Sequence, residues 1–408
     1  MGNKKQDITK VVLAYSGGLD TSVIIRWMIE TYGCEVIAFT ADLGEGGDFK
    51  ALRRKAIKTG ATKCVVRDLR KEFVREYVLP AIKANALYEG KYPMATSLGR
   101  YIITKHLIEC AREENADAIA HGSTGKGNDQ VRFEVTAAAL APHIKVLAPV
   151  REWELKTRED EIEYARKWKI RVPVTKEKPY SIDSNLWGRS IECGALEDPW
   201  TEPPGNAYQA TQSPFKAPEK GQELCIGFKK GEPVSLNGKR RAALSIIEEI
   251  TRAGNRHGVG RIDMVENRVV GIKSREIYEA PAALILITAH KALEELCLER
   301  DTFHFKESIV PRYAELIYNG LWYSPLRSAF AAFVEDTQHY VSGEVRLTLY
   351  KGQCIVTGRR SPHSLYRKDL ATYDIGDTFD RDSAKGFVTI YGLPLKVTGA
   401  LHRNRKRS

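Results

Sequence analysis

The sequence has no cysteine pair at metal-binding or redox spacing. Its seven cysteines stand singly at positions 34, 64, 110, 193, 225, 297 and 354, and the nine histidines do not gather beside them. This argues against a disulfide framework or a zinc site and for reduced thiols in a core. Long apolar runs are also missing: the longest, 280–289, includes Pro281 and Thr288 and is too short to cross a bilayer. No secretory leader pattern is present, and Gln6 stands where a myristoylation signal needs Ser or Thr. The expectation is a cytoplasmic enzyme that does not enter membranes. No internal repeat or low-complexity tract is evident, and neither Gly-x-x-x-x-Gly-Lys-Ser/Thr nor Gly-x-Gly-x-x-Gly occurs at the glycine turns discussed below.

What is present is a basic chain of 408 residues with a net charge of +11, 43% hydrophobic and 28% charged residues. That length exceeds one ordinary core, so two or three domains are expected. Part of the excess charge is concentrated in Arg403, Arg405, Lys406 and Arg407. Such a tail reads as a solvated end rather than a specific nucleic-acid site. A polyanionic substrate is the other reason for a basic surface.

Ala14-Tyr15-Ser16-Gly17-Gly18-Leu19-Asp20-Thr21-Ser22 follows the apolar run Val11–Ala14, which reads as a buried strand. It precedes Val23–Met28, which reads as a helix start. Paired glycines let the backbone approach an anion, and the free N–H groups of a helix N-terminus point at it. Ser16, Thr21 and Ser22 add hydroxyls, and Asp20 is expected to cap the helix. The string resembles the Ser-Gly-Gly-x-Asp-Ser/Thr-Ser signature of N-type PP-loop ATP pyrophosphatases, which cleave ATP between the α and β phosphates.

To about residue 170 short apolar runs alternate with helical patterns. Strands are expected at 36–40, 64–66, 118–120 and 146–148, and helices at 49–59, 72–86 and 101–114. Ile103, His106, Leu107, Cys110 and Ala111 recur at helical steps, so His106 reads as a core histidine rather than a ligand. This is the pattern of a parallel sheet covered on both faces, with ligands at the carboxyl ends of its strands. The segments after Ala14, Thr40 and Ala120 should therefore converge. Beyond about residue 172, Pro173, Pro179, Pro199, Pro203, Pro204, Pro214, Pro218 and Pro233 punctuate shorter segments. Helices at 240–253, 282–298, 307–318 and 326–340 and a hairpin around Lys351-Gly352 imply a second, α+β domain. Residues from about 366 are short and Gly-punctuated, and are expected to pack on another subunit.

The segment 121–134, HGSTGKGNDQVRFE, follows the strand at 118–120. If Asn128 opens a helix, Asn128 and Arg132 share a face. An Arg can clamp a carboxylate through two parallel hydrogen bonds, and Asp129 can accept from an amine. That set suits an amino-acid substrate. With AYSGGLDTS at 14–22, YPMATSLGR at 92–100, YSIDSNLWGRSIECG at 180–194, GRIDMVENRVVGIKSREIYEAP at 260–281 and GRRSPHSLY at 358–366, the chain resembles the argininosuccinate synthase family over most of its length.

The resemblance implies ATP-dependent joining of citrulline and aspartate through a citrullyl-adenylate, releasing AMP and pyrophosphate, with Mg²⁺ bridging phosphate oxygens. It implies a nucleotide-binding domain over 1–172, a synthetase domain over 173–365 and an oligomerising segment with the basic tail over 366–408, assembled as a homotetramer. By resemblance, Ala14, Tyr15, Ser16, Gly17, Gly18, Leu19, Asp20, Thr21, Ser22, Ala41 and Gly122 contact ATP. Tyr92, Ser97, Asn128, Arg132, Ser181, Ser190, Glu266 and Tyr278 contact citrulline, and Thr124, Asn128 and Asp129 contact aspartate. Arg132 would pair with citrulline's α-carboxylate and Glu266 with its α-ammonium. Taken singly, Tyr92 and Tyr278 read as packing aromatics, Ser181 and Ser190 as turn hydroxyls and Glu266 as a surface acid. Thr96 and Arg100 lie close enough to Ser97 to reach a substrate too. The alternatives are a PP-loop enzyme that adenylates another carbonyl oxygen, such as a tRNA-thiolating or amide-forming ligase, and a nucleic-acid-binding protein that uses the basic tail. Cys34, Cys64 and Cys110 do not suggest the paired sulfur carriers of a thiolating enzyme.

Overall fold

A computed structural model describes residues 8–170, 180–373 and 376–405. Pro173, Pro179, Lys406 and Arg407 lie outside the described residues. The first half runs β1 (Lys10–Ala14), α1 (Leu19–Tyr32), β2 (Glu35–Asp42), α2 (Phe49–Thr59), β3 (Lys63–Asp68), α3 (Arg70–Phe73), a π turn (Val74–Val78) and α4 (Leu79–Lys83). It continues with α5 (Ala95–Glu113), β4 (Ala118–Ala120), α6 (Asp129–Leu140), β5 (Lys145–Leu147), α7 (Pro149–Glu152) and α8 (Arg158–Lys167). The five strands form one parallel sheet in the order β3-β2-β1-β4-β5. Val11, Val12, Leu13, Val36 and Ala38 are fully buried within it, as a sheet covered on both faces requires. Strand order reverses between β1 and β4, so the loops after Ala14 and Ala120 open into one crevice.

The second half contributes β6 (Ser181–Asn185), β7 (Gly188–Glu192), β8 (Gln222–Lys229), β9 (Glu232–Leu236), β10 (Lys239–Arg240), α9 (Ala243–His257), β11 (Arg261–Asn267) and β12 (Lys273–Glu279). There follow α10 (Pro281–Cys297), α11 (Arg300–Tyr318), α12 (Pro325–Thr337), β13 (Gly343–Tyr350) and β14 (Gln353–Arg360). One antiparallel sheet has the order β10-β9-β8-β13-β14 and carries α10 on its face; the other has the order β11-β12-β7-β6. Helix α5 packs against β1 and β2 and also against β6 and β7. It therefore joins the parallel sheet to the second antiparallel one.

The chain divides into two compact units, 1–363 and 364–408. The second holds α13 (Lys368–Ala371), α14 (Arg381–Tyr391) and α15 (Leu393–Arg405). Phe387, Ile390, Tyr391, Leu395 and Leu401 on its last two helices are exposed.

Three local expectations are corrected. Gly18, not Asp20, occupies the N-cap of α1 and makes no side-chain cap, because the extended Gly18 ends the loop two residues earlier and places Asp20 inside the first turn. Helix α5 starts at Ala95 rather than near 101, after Met94 in the left-handed region at φ 58°. Only Cys34, Cys64, Cys110 and Cys297 are buried thiols; Cys193 is exposed, at φ 75°, and Cys225 and Cys354 are half-buried. His106 is buried, and the hairpin turns at Lys351-Gly352.

Candidate functional site

The turn after β1 is held from three sides. The Tyr15 N–H donates to the Phe39 carbonyl at 2.8 Å, and Thr40 Oγ1 donates to the Tyr15 carbonyl at 2.7 Å. Ser16 Oγ and Thr21 Oγ1 meet at 3.1 Å across the loop. Ser22 is fully buried and spends its hydroxyl on the Gly18 carbonyl at 2.6 Å, so it stabilises the first turn of α1 from within. Gly17 lies at φ +79°, and a Cβ there would come within 3.2 Å of Leu52 Cδ1 on α2. The loop combines a backbone few side chains adopt with a close approach. Gly122, after β4, abuts α1: a Cβ would lie 3.3 Å from Thr21 Cγ2 and 3.1 Å from Ile24 Cδ1. Ala41 is in β2, paired with Arg67 of β3. The ATP-assigned positions thus fall around the carboxyl ends of three adjacent strands, with the N–H groups of α1 free to meet an anion.

Beside this loop, Glu161 of α8 has its carboxyl pushed up to about 8 by burial and by the neighbouring Asp20. Its Oε2 is enclosed without a hydrogen-bond partner. Two carboxyl groups crowded at a phosphate cradle hold either a proton or a cation between them.

The pleat of the four-stranded sheet assembles a second group. Ser190 pairs with Tyr278, Asp183 with Ser190, Ser181 with Glu192 and Glu266 with Ser274. Side chains alternate along a strand, so Ser181, Asp183, Ser190, Glu192, Glu266, Glu276 and Tyr278 project from one face. Arg100 of α5 ties that face to α6. Its guanidinium bonds Asp129 Oδ2 at 2.9 Å and also the Asp183 carboxylate. Asp129 is further held by Arg132 Nη1 at 2.9 Å. Burial alone would raise the Asp129 pKa, but the two guanidiniums outweigh it and hold it below the ordinary carboxylate range. Thr124 is an exposed residue of the preceding loop, which Gln130 braces by donating to the Gly125 carbonyl at 2.6 Å.

Tyr318, at the end of α11, joins the two groups. Its backbone carbonyl accepts from Arg132 Nε at 3.0 Å, and its hydroxyl accepts from Asn128 Nδ2 at 2.7 Å and donates to Glu266. Tyr92 stacks on Tyr278 at 3.9 Å and meets Tyr318 edge-on at 6.5 Å. Tyr278 Oη lies 2.5 Å from Glu266 and 2.9 Å from Glu276. A phenol has one proton to donate, so at these distances one of the two carboxyls supplies the other. Arg268 pairs with Glu276 at 2.8 Å and also with Glu192. Glu266 is the member left to hold the proton: its pKa is pushed up to about 7 by burial and then by Glu276.

Three donors here have no partner. Arg132 Nη2, Ser97 Oγ and Arg268 Nε are enclosed without an acceptor. Ser97 is fully buried and Arg132 is 4% exposed. Buried donors left over in this way fit an absent anionic or carbonyl ligand. Of the other sequence-named residues, Ser190 Oγ meets Thr96 Oγ1 at 3.2 Å, while Ser181 lies exposed at the start of β6. Glu266, 1% exposed, is no surface acid. The sequence reading missed Tyr318, Glu276 and Glu161; Tyr318 and Glu161 come from α11 and α8 and sit in none of the matching strings, while Glu276 lies within the string at 260–281, two residues from Tyr278 on β12.

The family model described as the arginosuccinate synthase N-terminal HUP domain matches residues 10–171, and that of the C-terminal domain matches residues 180–398. The chain belongs to the argininosuccinate synthase family. A curated relative of that name from Aquifex aeolicus is 54% identical over 398 residues, covering 97% of this chain and 99% of its own. Another, from Pelodictyon phaeoclathratiforme, is 55% identical over 393 residues, covering 96% and 98%. A solved U34-tRNA thiolase from Methanococcus maripaludis is 19% identical, covering 43% of this chain and 62% of its own, with a TM-score of 0.28.

Proposed function

We propose that the crevice between the PP-loop, α6 and the face of the four-stranded sheet is where this member of the argininosuccinate synthase family activates citrulline and joins it to aspartate. As a member of that family, the enzyme spends ATP to make argininosuccinate, releasing AMP and pyrophosphate. The observation that carries the site reading is that Arg132, with an unfilled buried Nη2, and Glu266 both converge on Tyr318. A guanidinium and a carboxyl so placed match the two charged ends of one α-amino acid. Arg132 and Ser97 take citrulline's α-carboxylate and Glu266 its α-ammonium. Tyr92, Asn128, Ser181, Ser190 and Tyr278 orient the rest. Thr124, Asn128 and Asp129 receive aspartate.

The ureido oxygen is a poor leaving group, so activation comes first. That oxygen attacks the α-phosphorus and pyrophosphate departs into the N–H groups of residues 16–22. Aspartate's amine then attacks the ureido carbon, loses a proton, and AMP leaves. Positioning and charge stabilisation account for the rate. Among the described residues no group of three or more His, Cys, Asp or Glu could hold a metal ion. Mg²⁺ on nucleotides needs only one or two carboxylates beside phosphate oxygens, and Asp20 with Glu161 fits that need. When bound, the ion would neutralise charge on the departing pyrophosphate.

We also assign residues 1–172 to nucleotide binding, 173–365 to the substrates and 366–408 to assembly of a homotetramer, supported by the exposed apolar side chains of α14 and α15. Sedimentation of the full chain against one truncated at residue 365 tests that assignment. Among the described residues no helix is long and apolar enough to cross a membrane, and a cytoplasmic location is proposed.

The reaction is tested by pyrophosphate release from ATP with citrulline, aspartate or both. Full turnover with both, yielding AMP, is expected. Turnover independent of citrulline would overturn the reading. A pH effect follows from Glu266. Protonated, it cannot pair with an ammonium, and it ionises near about 7. Citrulline KM should therefore fall roughly ten-fold from about pH 6 to about pH 8, and Glu266→Gln should raise KM and flatten the profile. An unchanged pH profile in Glu266→Gln would remove Glu266 from the citrulline site.

A further inference from the structure

Helix α2 carries five cations: Lys50, Arg53, Arg54, Lys55 and Lys58. Four of them are exposed. Lys55 alone turns inward. It is half-buried, and its Nζ donates to the Gly17 carbonyl at 2.5 Å. Among the described residues no carboxylate lies within ion-pair distance of it. Lys55 stands one helical step from Leu52, the residue that packs against Gly17, so α2 meets the PP-loop through an apolar contact and a cation on the same face.

Burying an ammonium without a counter-ion is costly. Consistently, burial holds the Lys55 pKa below its ordinary value. An ammonium has three donors, and the Gly17 carbonyl uses one. The charge and the remaining donors are held at the loop that must receive a polyanion. The contact also fixes a peptide plane. C=O and N–H point oppositely across a trans peptide, so drawing the Gly17 carbonyl toward α2 turns the Gly18 N–H away from it. That N–H now meets only Ser16 Oγ, at 3.3 Å, a long bond that a phosphate oxygen can replace.

We propose that Lys55 is part of the pyrophosphate-binding surface: it sets the Gly17–Gly18 peptide and supplies the positive charge that the leaving pyrophosphate meets. This rests on the ligase reading above. It differs from the motif itself, because Lys55 comes from the next helix and belongs to no string that carries the family resemblance.

The test compares the wild-type enzyme with Lys55→Met and Lys55→Arg. Met keeps the apolar stem on Leu52 without the charge; Arg restores the charge. The readouts are citrulline-dependent pyrophosphate release with ATP, citrulline and aspartate varied in turn, inhibition by added inorganic pyrophosphate, and the melting temperature. Loss of one charged donor to a developing anion costs roughly 100-fold in rate. Lys55→Met should therefore lose about that in kcat/KM for ATP. Its pyrophosphate Ki should rise at least ten-fold, with citrulline and aspartate KM values and melting temperature near wild type. Lys55→Arg should recover much of both losses. Wild-type pyrophosphate inhibition in Lys55→Met would overturn the proposal, and so would equal losses toward all three substrates with a lowered melting temperature. If the wild-type enzyme itself shows no citrulline-dependent release, the ligase reading fails instead.

Discussion

Replacing Arg132 with Ala should raise citrulline KM by roughly 10- to 150-fold while leaving the KM for ATP near wild type. The range follows from about 1.5–3 kcal/mol for a hydrogen bond to a charged partner and about 1.4 kcal/mol per factor of ten. The side chain is almost fully enclosed, with Nε on the Tyr318 carbonyl, Nη1 on Asp129 and Nη2 unfilled. Truncation removes the donor assigned to citrulline and also strips Asp129 of one of its two cations. Breaking a buried ion pair destabilises by several kcal/mol, at most about 3–5. Arg100 remains to hold Asp129, so the cost should lie below that limit. The melting temperature of Arg132→Ala should therefore drop. Arg132→Lys separates the two effects. It keeps a charge beside Asp129 but loses the planar fork, so most of the KM defect should persist while most of the stability returns. Steady-state kinetics with citrulline and ATP varied separately, beside thermal melts, decides this. Citrulline KM unchanged in both variants would take Arg132 out of the citrulline site.

What the sequence made legible divides along contact order. The PP-loop, its strand and its helix are contiguous, so periodicity and glycine spacing sufficed to read them. The same holds for Asn128 and Arg132, which share a face of one helix. The convergence of the segments after Ala14, Thr40 and Ala120 follows from a rule about parallel sheets rather than from any residue. The citrulline set was different. Ser181, Ser190, Glu266 and Tyr278 share a sheet face only because of the register Ser190↔Tyr278 and Glu266↔Ser274. Pairings between distant strands leave no local trace, so only the family resemblance named these residues. Tyr318 was out of reach on both counts. It ends a helix and is fully buried. Its hydroxyl accepts from Asn128 and donates to Glu266, which no local pattern shows. The Asp20 misreading has a similar origin. An acid just before an apolar run reads as a cap, yet the extended Gly18 starts the helix first and leaves Asp20 in the opening turn, beside Glu161.

Asp129 yields the second large effect, and here the structure changes which variant is informative. If Asp129 serves aspartate alone, removing it should stop ligation yet spare activation of citrulline. Its carboxylate, however, also bonds Arg132 at 2.9 Å and Arg100 at 2.9 Å. Asp129→Ala would leave Arg100 with Asp183 alone and Arg132 with no carboxylate, place two like charges face to face, and disturb the citrulline site along with the aspartate site. Asp129→Asn keeps a carbonyl oxygen for one guanidinium and loses the charge that an incoming ammonium would meet. It should therefore retain much of the citrulline-dependent exchange of labelled pyrophosphate into ATP, within about ten-fold of wild type, while argininosuccinate formation falls roughly 100-fold or more, the scale of losing one charged contact in a reacting complex. Asp129→Ala should lower both. The comparison works because exchange reports the first half-reaction without aspartate, and product formation reports the second. Equal loss of the two activities in Asp129→Asn would mean that Asp129 acts on citrulline through Arg132 and not on aspartate. Intact exchange in Asp129→Ala would mean that Arg100 and Arg132 need no carboxylate between them.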